Sequence, residues 1–258
     1  MKKIAVITGA SSGLGEEFIR QLSREKEKDR VEEIWAIARR KERLEALARV
    51  TDIPVRPVPM DLTLPSSISE LELMLKGENP EVRILINAAG FGRIGNYTKV
   101  SRAETDSMID LNCRAAVDVT LICLPYMTRG GRILEICSTA AFQPIPYLNT
   151  YAATKAFLYR YTRALRYELK GSGIKVTAVC PYWVKDTEFI PAAQKTGSDI
   201  RSFPLSSRKA NVVSRALRDN RMNLPVSTPS LMCLGHRFLS KFIPGEALMA
   251  GWDALRRV

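Results

Sequence analysis

Tyr151 and Lys155 stand four residues apart, which on a helix places them on one face, a single turn from each other. An ammonium at that spacing stabilises a phenolate and lowers the phenol's pKa. A phenol brought toward neutrality can give a proton to a carbonyl oxygen or take one from an alcohol. The pair closes a stretch that begins at Ser138-Thr139-Ala140. A second feature opens the chain: Thr8-Gly9-Ala10-Ser11-Ser12-Gly13-Leu14-Gly15. Glycines there let the backbone turn sharply and approach a phosphate without a Cβ in the way. If a helix follows, its N-terminus adds N–H donors and positive partial charge. A hydride carrier bound at that turn, beside a titratable phenol, makes nicotinamide-dependent redox chemistry the leading reading of these residues.

Both features need a scaffold, and the apolar pattern supplies one. Short β-branched runs at 4–7, 33–38, 55–59, 84–87, 131–137 and 174–180 alternate with helical patterns at 14–27, 41–50, 65–76, 103–127 and 150–170. Such alternation predicts βαβ units, hence an α/β fold: a doubly wound Rossmann-like parallel sheet of about seven strands with helices on both faces. The glycine turn then falls between the first strand and the first helix, the context in which such a turn is informative. No repeat, low-complexity tract or long linker divides the chain, so residues 1–258 are expected to form one domain.

After Pro181 the rhythm loosens. Residues 182–210 are expected to form a mobile loop with short helical pieces, 207–220 a basic helix, and 224–228 a last strand bounded by Pro225 and Pro229. Beyond it Leu231, Leu234, Phe238 and Phe242 recur at helical spacing, followed by Ala247, Leu248, Trp252 and Leu255. That stripe can be core, subunit contact, membrane-surface contact or an apolar lid over a substrate.

Composition narrows the class. At 258 residues, 46% hydrophobic and 26% charged, the chain has the make-up of a soluble globular protein. Five widely spaced cysteines without a Cys-x-x-Cys pair read as buried reduced thiols, and the expected location is cytoplasmic. The apolar run after Met1 is too short for a signal-peptide core, and no stretch reaches the length of a membrane span. A single histidine, His236, argues against a Ser-His-Asp triad or a histidine-held metal, and no metal site is expected. Its basic surroundings suggest a surface residue. The net charge of +12 suits an anionic ligand, nucleic acid or lipid surface, or simply solubility.

One local feature favours the ligand. The second strand ends in Ala38-Arg39-Arg40, where a sheet that binds NAD carries an acidic residue on the ribose hydroxyls. Arginine instead matches a 2′-phosphate in charge and geometry, so NADP(H) is the expected cofactor, with Arg39 where that phosphate would lie and Arg40 either sharing it or turned to solvent.

In this order and spacing, these residues resemble the short-chain dehydrogenase/reductase family in its classical, NADP(H)-preferring branch, over about residues 3–187. The resemblance takes in the turn at Thr8–Gly15, Asp61, the Asn87-Ala88-Ala89-Gly90 run, Asn112, Ser138 and the Tyr151/Lys155 pair. It implies that Tyr151 exchanges the proton with the substrate oxygen and Ser138 orients that oxygen. Lys155 would hold the nicotinamide ribose and depress the Tyr151 pKa, and Asn112 would position a proton-relaying water. The implied cofactor contacts are Gly9, Ser11, Ser12, Gly13, Leu14 and Gly15 at the turn, Arg39 and Arg40 after it, Asp61 and Leu62 beside the adenine, Asn87, Ala88 and Gly90 along the adenosine half, and Tyr151, Lys155, Pro181, Val184 and Thr187 near the nicotinamide. The sequence departs from the family at Pro181-Tyr182-Trp183-Val184-Lys185-Asp186-Thr187, where the usual glycine is Tyr182 and Thr187 comes one place late.

Phe142, Tyr147 and Trp183 are the expected substrate contacts, and with Ile145, Phe189 and the apolar C-terminal segment they favour a bulky hydrophobic alcohol or ketone. A hydroxysteroid, bile acid or long aliphatic ketone fits; so does a 3-oxoacyl thioester. A non-catalytic NADPH-binding sensor would typically lack Ser, Tyr or Lys, all of which are present. A nucleic-acid binder has only the net charge in its favour, so no nucleic-acid partner is expected. The family commonly pairs through its fourth and fifth helices, which implies a homodimer or homotetramer.

Overall fold

The computed structural model describes residues 1–24, 31–196, 200, 203 and 205–255. Seven strands form one parallel sheet: β1 (Lys3–Thr8), β2 (Glu33–Ala38), β3 (Val55–Pro59), β4 (Glu81–Asn87), β5 (Arg132–Ile136), β6 (Lys175–Val179) and β7 (Val226–Ser227). Their spatial order is β3-β2-β1-β4-β5-β6-β7. The chain thus winds outward in one direction from β1 and returns to wind outward in the other from β4. Between β1 and β4 the connections diverge to opposite sides, and a crevice opens at the carboxyl ends of the strands, where ligands bind such sheets. Thr8 and Asn87 are register partners at the floor of that crevice.

Helices cover both faces, so the strands are apolar on both sides rather than alternating with polar residues. Ala5 and Ile7 face a layer containing Phe18 and Leu22 of α1 (Gly13–Leu22), Leu44 of α2 (Lys41–Ala48) and Val213 of α8 (Lys209–Arg221). Ile4 and Val6 face Leu71 and Leu75 of α3 (Pro65–Glu78), Val119 of α5 (Ala115–Cys123) and Leu165 of α6 (Asn149–Glu168). Two-residue β7, hemmed by prolines, closes the outer edge with little free backbone to pair further.

One expectation is revised. The single helix foreseen over 103–127 is α4 (Arg102–Ile109), a π-turn at Asp110–Arg114, then α5. Ser101 and Glu104 cap α4 reciprocally, and the wide turn that follows carries Asn112. Residues 25–27 of the first predicted helix lie outside the described residues, as does the side chain of Leu255. Within 182–210 the structure contains α7 (Phe189–Ala193) and a parallel bridge from Val184 to Ser207, which ties the segment's two ends together. The C-terminal stripe forms α9 (Leu231–Leu239) and α10 (Gly245–Leu255).

Candidate active site

The glycine turn is built as the sequence predicts, and for steric reasons that can be read directly. Gly9 has φ +67°, a region that favours glycine, and a Cβ there would strike the Ala88 carbonyl at 2.7 Å. At Gly15 a Cβ would lie 2.3 Å from the Gly9 carbonyl oxygen, so the turn and the first helical turn pack backbone on backbone. Ser12 precedes α1 in extended conformation and its side chain caps no N–H group. The first-turn donors of α1 therefore remain open to an anion. Turn, helix start and crevice together fit a pyrophosphate.

Arg40 is the arginine tied to this turn. Its Nε donates to Ser11 Oγ at 3.1 Å and its Nη1 to Glu188 Oε2 at 2.8 Å. Arg39 is 75% exposed, and its pairing is with Asp61, at 3.9 Å. Both arginines border the cleft, as do Asp61 and Leu62. Of the two arginines, Arg40 is thus held against the glycine turn, whereas Arg39 lies toward Asp61 and solvent. The reason is that the chain turns at Arg40 into α2, aiming its side chain across the glycine turn.

The reacting end lies where β5 and α6 converge. Ser138, directly after β5, accepts a hydrogen bond from Ala140 N at 3.1 Å and bonds the Tyr151 phenol. Tyr151 and Lys155 lie on the face of α6 turned toward the sheet and are 8% and 4% exposed. Burial pushes the Tyr151 phenol well above its ordinary value of 10.0, with the Ser138 hydrogen bond acting in the opposite direction. The net direction is upward, where the sequence reading expected a phenol drawn toward neutrality. Lys155 Nζ donates to the Ile136 carbonyl at 2.7 Å and sits 5.8 Å from the centre of the Tyr151 ring, and burial lowers its own pKa. Desolvation of the pair outweighs their attraction, so Tyr151 rests as a neutral phenol.

Asn112 is fully buried in the π-turn. Its Nδ2 donates to the Phe91 carbonyl and to Thr154 Oγ1, and its Oδ1 accepts from Phe91 N. It pins the 90–91 loop beside Lys155: a Cβ at Gly90 would meet Asn112 Oδ1 at 2.9 Å and Lys155 Nζ at 3.3 Å. Asn87, expected along the cofactor, lies instead beneath the cleft, donating to Thr120 and Glu135. Gly15 likewise shapes the turn without bordering the cleft. Ala88, Gly90, Pro181, Val184 and Thr187 all border it. The late Thr187 still reaches the glycine turn, with its Cβ 3.5 Å from where a Cβ on Gly13 would stand.

Much of the remaining wall is apolar, although Arg93, Glu104, Gln143 and Lys195 also line it. Trp183 packs against Phe203 at 4.6 Å and Phe189 at 6.3 Å, and Phe189 lies 5.3 Å from the Tyr151 ring. Ile145 and Leu148 face them, and α9 and α10 close the far side. Two expected substrate contacts are corrected. Phe142 turns away from the cleft to meet Tyr159 edge-on at 5.5 Å. Tyr147, at φ +67°, accepts from Gly95 N through its carbonyl and is absent from the residues that border the cleft. His236, expected at the surface, is half-buried in the cleft wall, with Nε2 2.7 Å from Gln143 Oε1. Trp252 Nε1 donates to the Pro146 carbonyl, so both C-terminal helices are latched to the 143–146 loop. The apolar stripe is therefore split: Ala247, Leu248 and Trp252 border the cleft, whereas Leu234, Phe238 and Phe242 are exposed.

The cleft encloses about 1320 Å³. Single-ligand pockets measure roughly 300–1,000 Å³, so it has room for a dinucleotide and a second molecule. Among the described residues no group of acidic, cysteine or histidine side chains could hold a metal ion, and no helix is long and apolar enough to cross a membrane.

A sequence model described as short chain dehydrogenase matches residues 3–197. An uncharacterised oxidoreductase of Staphylococcus epidermidis is 31% identical over 182 residues, 70% of this chain and 77% of that protein. A short-chain dehydrogenase from Sphingobium yanoikuyae, solved in complex with NADPH, superposes with a TM-score of 0.79 at 28% identity, covering 99% of this chain and 94% of that one. The bulky-bulky ketone specific alcohol dehydrogenase from Comamonas testosteroni gives a TM-score of 0.72 at 25% identity, over 93% and 94% of the two chains.

Proposed function

The chain belongs to the short-chain dehydrogenase family, and on that premise we propose that it is an NADP(H)-dependent oxidoreductase interconverting a secondary alcohol and a ketone on a bulky apolar substrate. One observation carries the reading: Ser138, Tyr151 and Lys155 converge at one end of a cleft whose other end is the glycine turn. The glycine turn and α1 would hold the pyrophosphate, Arg40 and Ser11 the 2′-phosphate, and Lys155 the nicotinamide ribose. When bound, the nicotinamide supplies or takes up the hydride.

The protein's own part is proton transfer and positioning. Burial keeps Tyr151 a phenol, the form that donates a proton to a ketone oxygen. Ser138, bonded to the same phenol, orients that oxygen. Asn112 fixes the loop that flanks Lys155 and so holds the ammonium in place. Trp183, Phe189, Ile145 and Leu148 exclude water around the reacting atoms and strengthen each of these polar contacts. Their apolar area supports a large hydrophobic substrate, and the ketone specificity of the Comamonas relative points the same way.

The test is a steady-state panel with NADPH and NADH against bulky ketones (a ketosteroid, a long-chain ketone), a small ketone and a 3-oxoacyl thioester, followed by nicotinamide absorbance. Highest kcat/KM is expected for NADPH with a bulky ketone. Preference for the thioester would move the substrate class, and inactivity across the panel with intact cofactor binding would favour a sensor.

A further inference from the structure

Glu188 lies in the segment after β6, about 150 places along the chain from the arginines it meets. Its Oε2 accepts from Arg40 Nη1 at 2.8 Å and its Oε1 from Arg43 Nη1 at 2.5 Å. The same Arg40 holds Ser11 Oγ through Nε. One carboxylate therefore sits between two guanidinium groups at the lip of the glycine turn, and Glu188 and Arg40 both border the cleft. Arg43, one turn into α2, is a cation that a reading centred on Arg39 and Arg40 does not reach.

We propose that Glu188 sets this protein's selectivity for 2′-phosphorylated nucleotides by competing, as a resident carboxylate, for Arg40 and Arg43. The inference rests on the NADP(H) reading above and adds two residues to it. A phosphate on the adenosine ribose and the Glu188 carboxylate are both anions seeking the same guanidinium donors. A phosphate at Ser11 and Arg40 either displaces the carboxylate or lies beside it, and each costs affinity. A nucleotide without that phosphate leaves both ion pairs intact and meets no such cost. The two arginines hold Glu188 ionised, with Arg43 the larger influence and its pKa drawn down to about 2, so it competes at every working pH. Its half-exposed side chain is free to swing away, which keeps the competition modest rather than absolute.

The test uses calorimetric titration of the full chain with adenosine 2′,5′-bisphosphate and with adenosine 5′-monophosphate, in wild type and Glu188→Gln. Freeing two partly exposed ion pairs should tighten the bisphosphate roughly three- to tenfold and leave the monophosphate unchanged. A bisphosphate affinity that is unchanged or weaker in the variant overturns the proposal. So does equal tightening of both nucleotides, which would make Glu188 a steric barrier rather than a competing charge. The wild-type ratio answers separately for the cofactor reading. If wild type does not distinguish the two nucleotides but Glu188→Gln favours the bisphosphate, the NADP(H) reading fails and the role of Glu188 stands.

Discussion

Replacing Glu135 with glutamine should stabilise the protein, and more so as pH rises. Glu135 lies on β5 with no exposed surface. Its Oε1 accepts from Asn87 Nδ2 at 2.9 Å and Thr120 Oγ1 at 2.8 Å, while Oε2 has no hydrogen-bond partner among the described residues. Burial raises its pKa from 4.5 to about 7, against the opposing pull of those two hydrogen bonds and of Lys155. The folded chain thus keeps a proton on Glu135 that the unfolded chain gives up near 4.5. Stability from this group is complete below pH 4.5, declines between there and pH 7, and is lost above. At about 1.4 kcal/mol for each pH unit between the two values, the decline amounts to roughly 3 kcal/mol. Glutamine retains an acceptor for Asn87 and Thr120 and cannot ionise. The assay is chemical and thermal unfolding of both proteins from pH 5 to 8, comparing differences so that every other titrating group cancels. The advantage of Glu135→Gln should grow with pH, reaching roughly 5–10 °C in Tm at pH 8. A difference that is flat in pH, or that shrinks as pH rises, would refute the reasoning.

Tyr151→Phe should lower kcat by about 10²- to 10⁴-fold, the usual worth of a positioned proton donor, with little change in NADPH affinity by fluorescence titration; near-normal turnover would remove Tyr151 from the mechanism. Arg40→Ala should weaken NADPH by roughly one to two powers of ten, as expected for a charge-assisted hydrogen bond, and leave NADH nearly untouched. Arg39→Ala, whose guanidinium is mostly solvated, should do less, and the reverse ranking would restore the order read from sequence. Trp183→Ala opens the wall facing Phe189 and Phe203, so KM should rise for a bulky ketone and stay near wild type for a small one; equal effects on both would make Trp183 structural.

Much of the fold was legible because it rests on local signals. β2 and β3 match the runs at 33–38 and 55–59 residue for residue: β2 reads as a buried apolar run from Ile34 to Ile37, and edge strand β3 keeps Val55 and Val58 buried around a half-exposed Arg56. The π-turn at Asp110–Arg114 was not legible: its residues suit an α-helix, and the wider turn is fixed by Asn112 reaching Phe91 and Thr154. The same division runs through the site. Tyr151 and Lys155 announce themselves because helical spacing alone sets them on one face. Phe142 and Tyr147 were misjudged because aromatic residues in a loop carry no periodicity to say which way they point.

Sequence by itself determined the parts whose geometry is set within one element or one turn: the alternating strands and helices, the glycine turn, and the Tyr151/Lys155 pair. Tertiary structure alone decided what depends on distant segments meeting. It brought Glu188 to Arg40 and Arg43, His236 to Gln143, and Trp252 to the 143–146 loop. It also set the sign of the Tyr151 shift, because desolvation depends on everything packed around the ring, including Phe189 and Gly92. Spacing reports which groups can be neighbours along a helix; burial, which decides their charge, is a property of the whole fold.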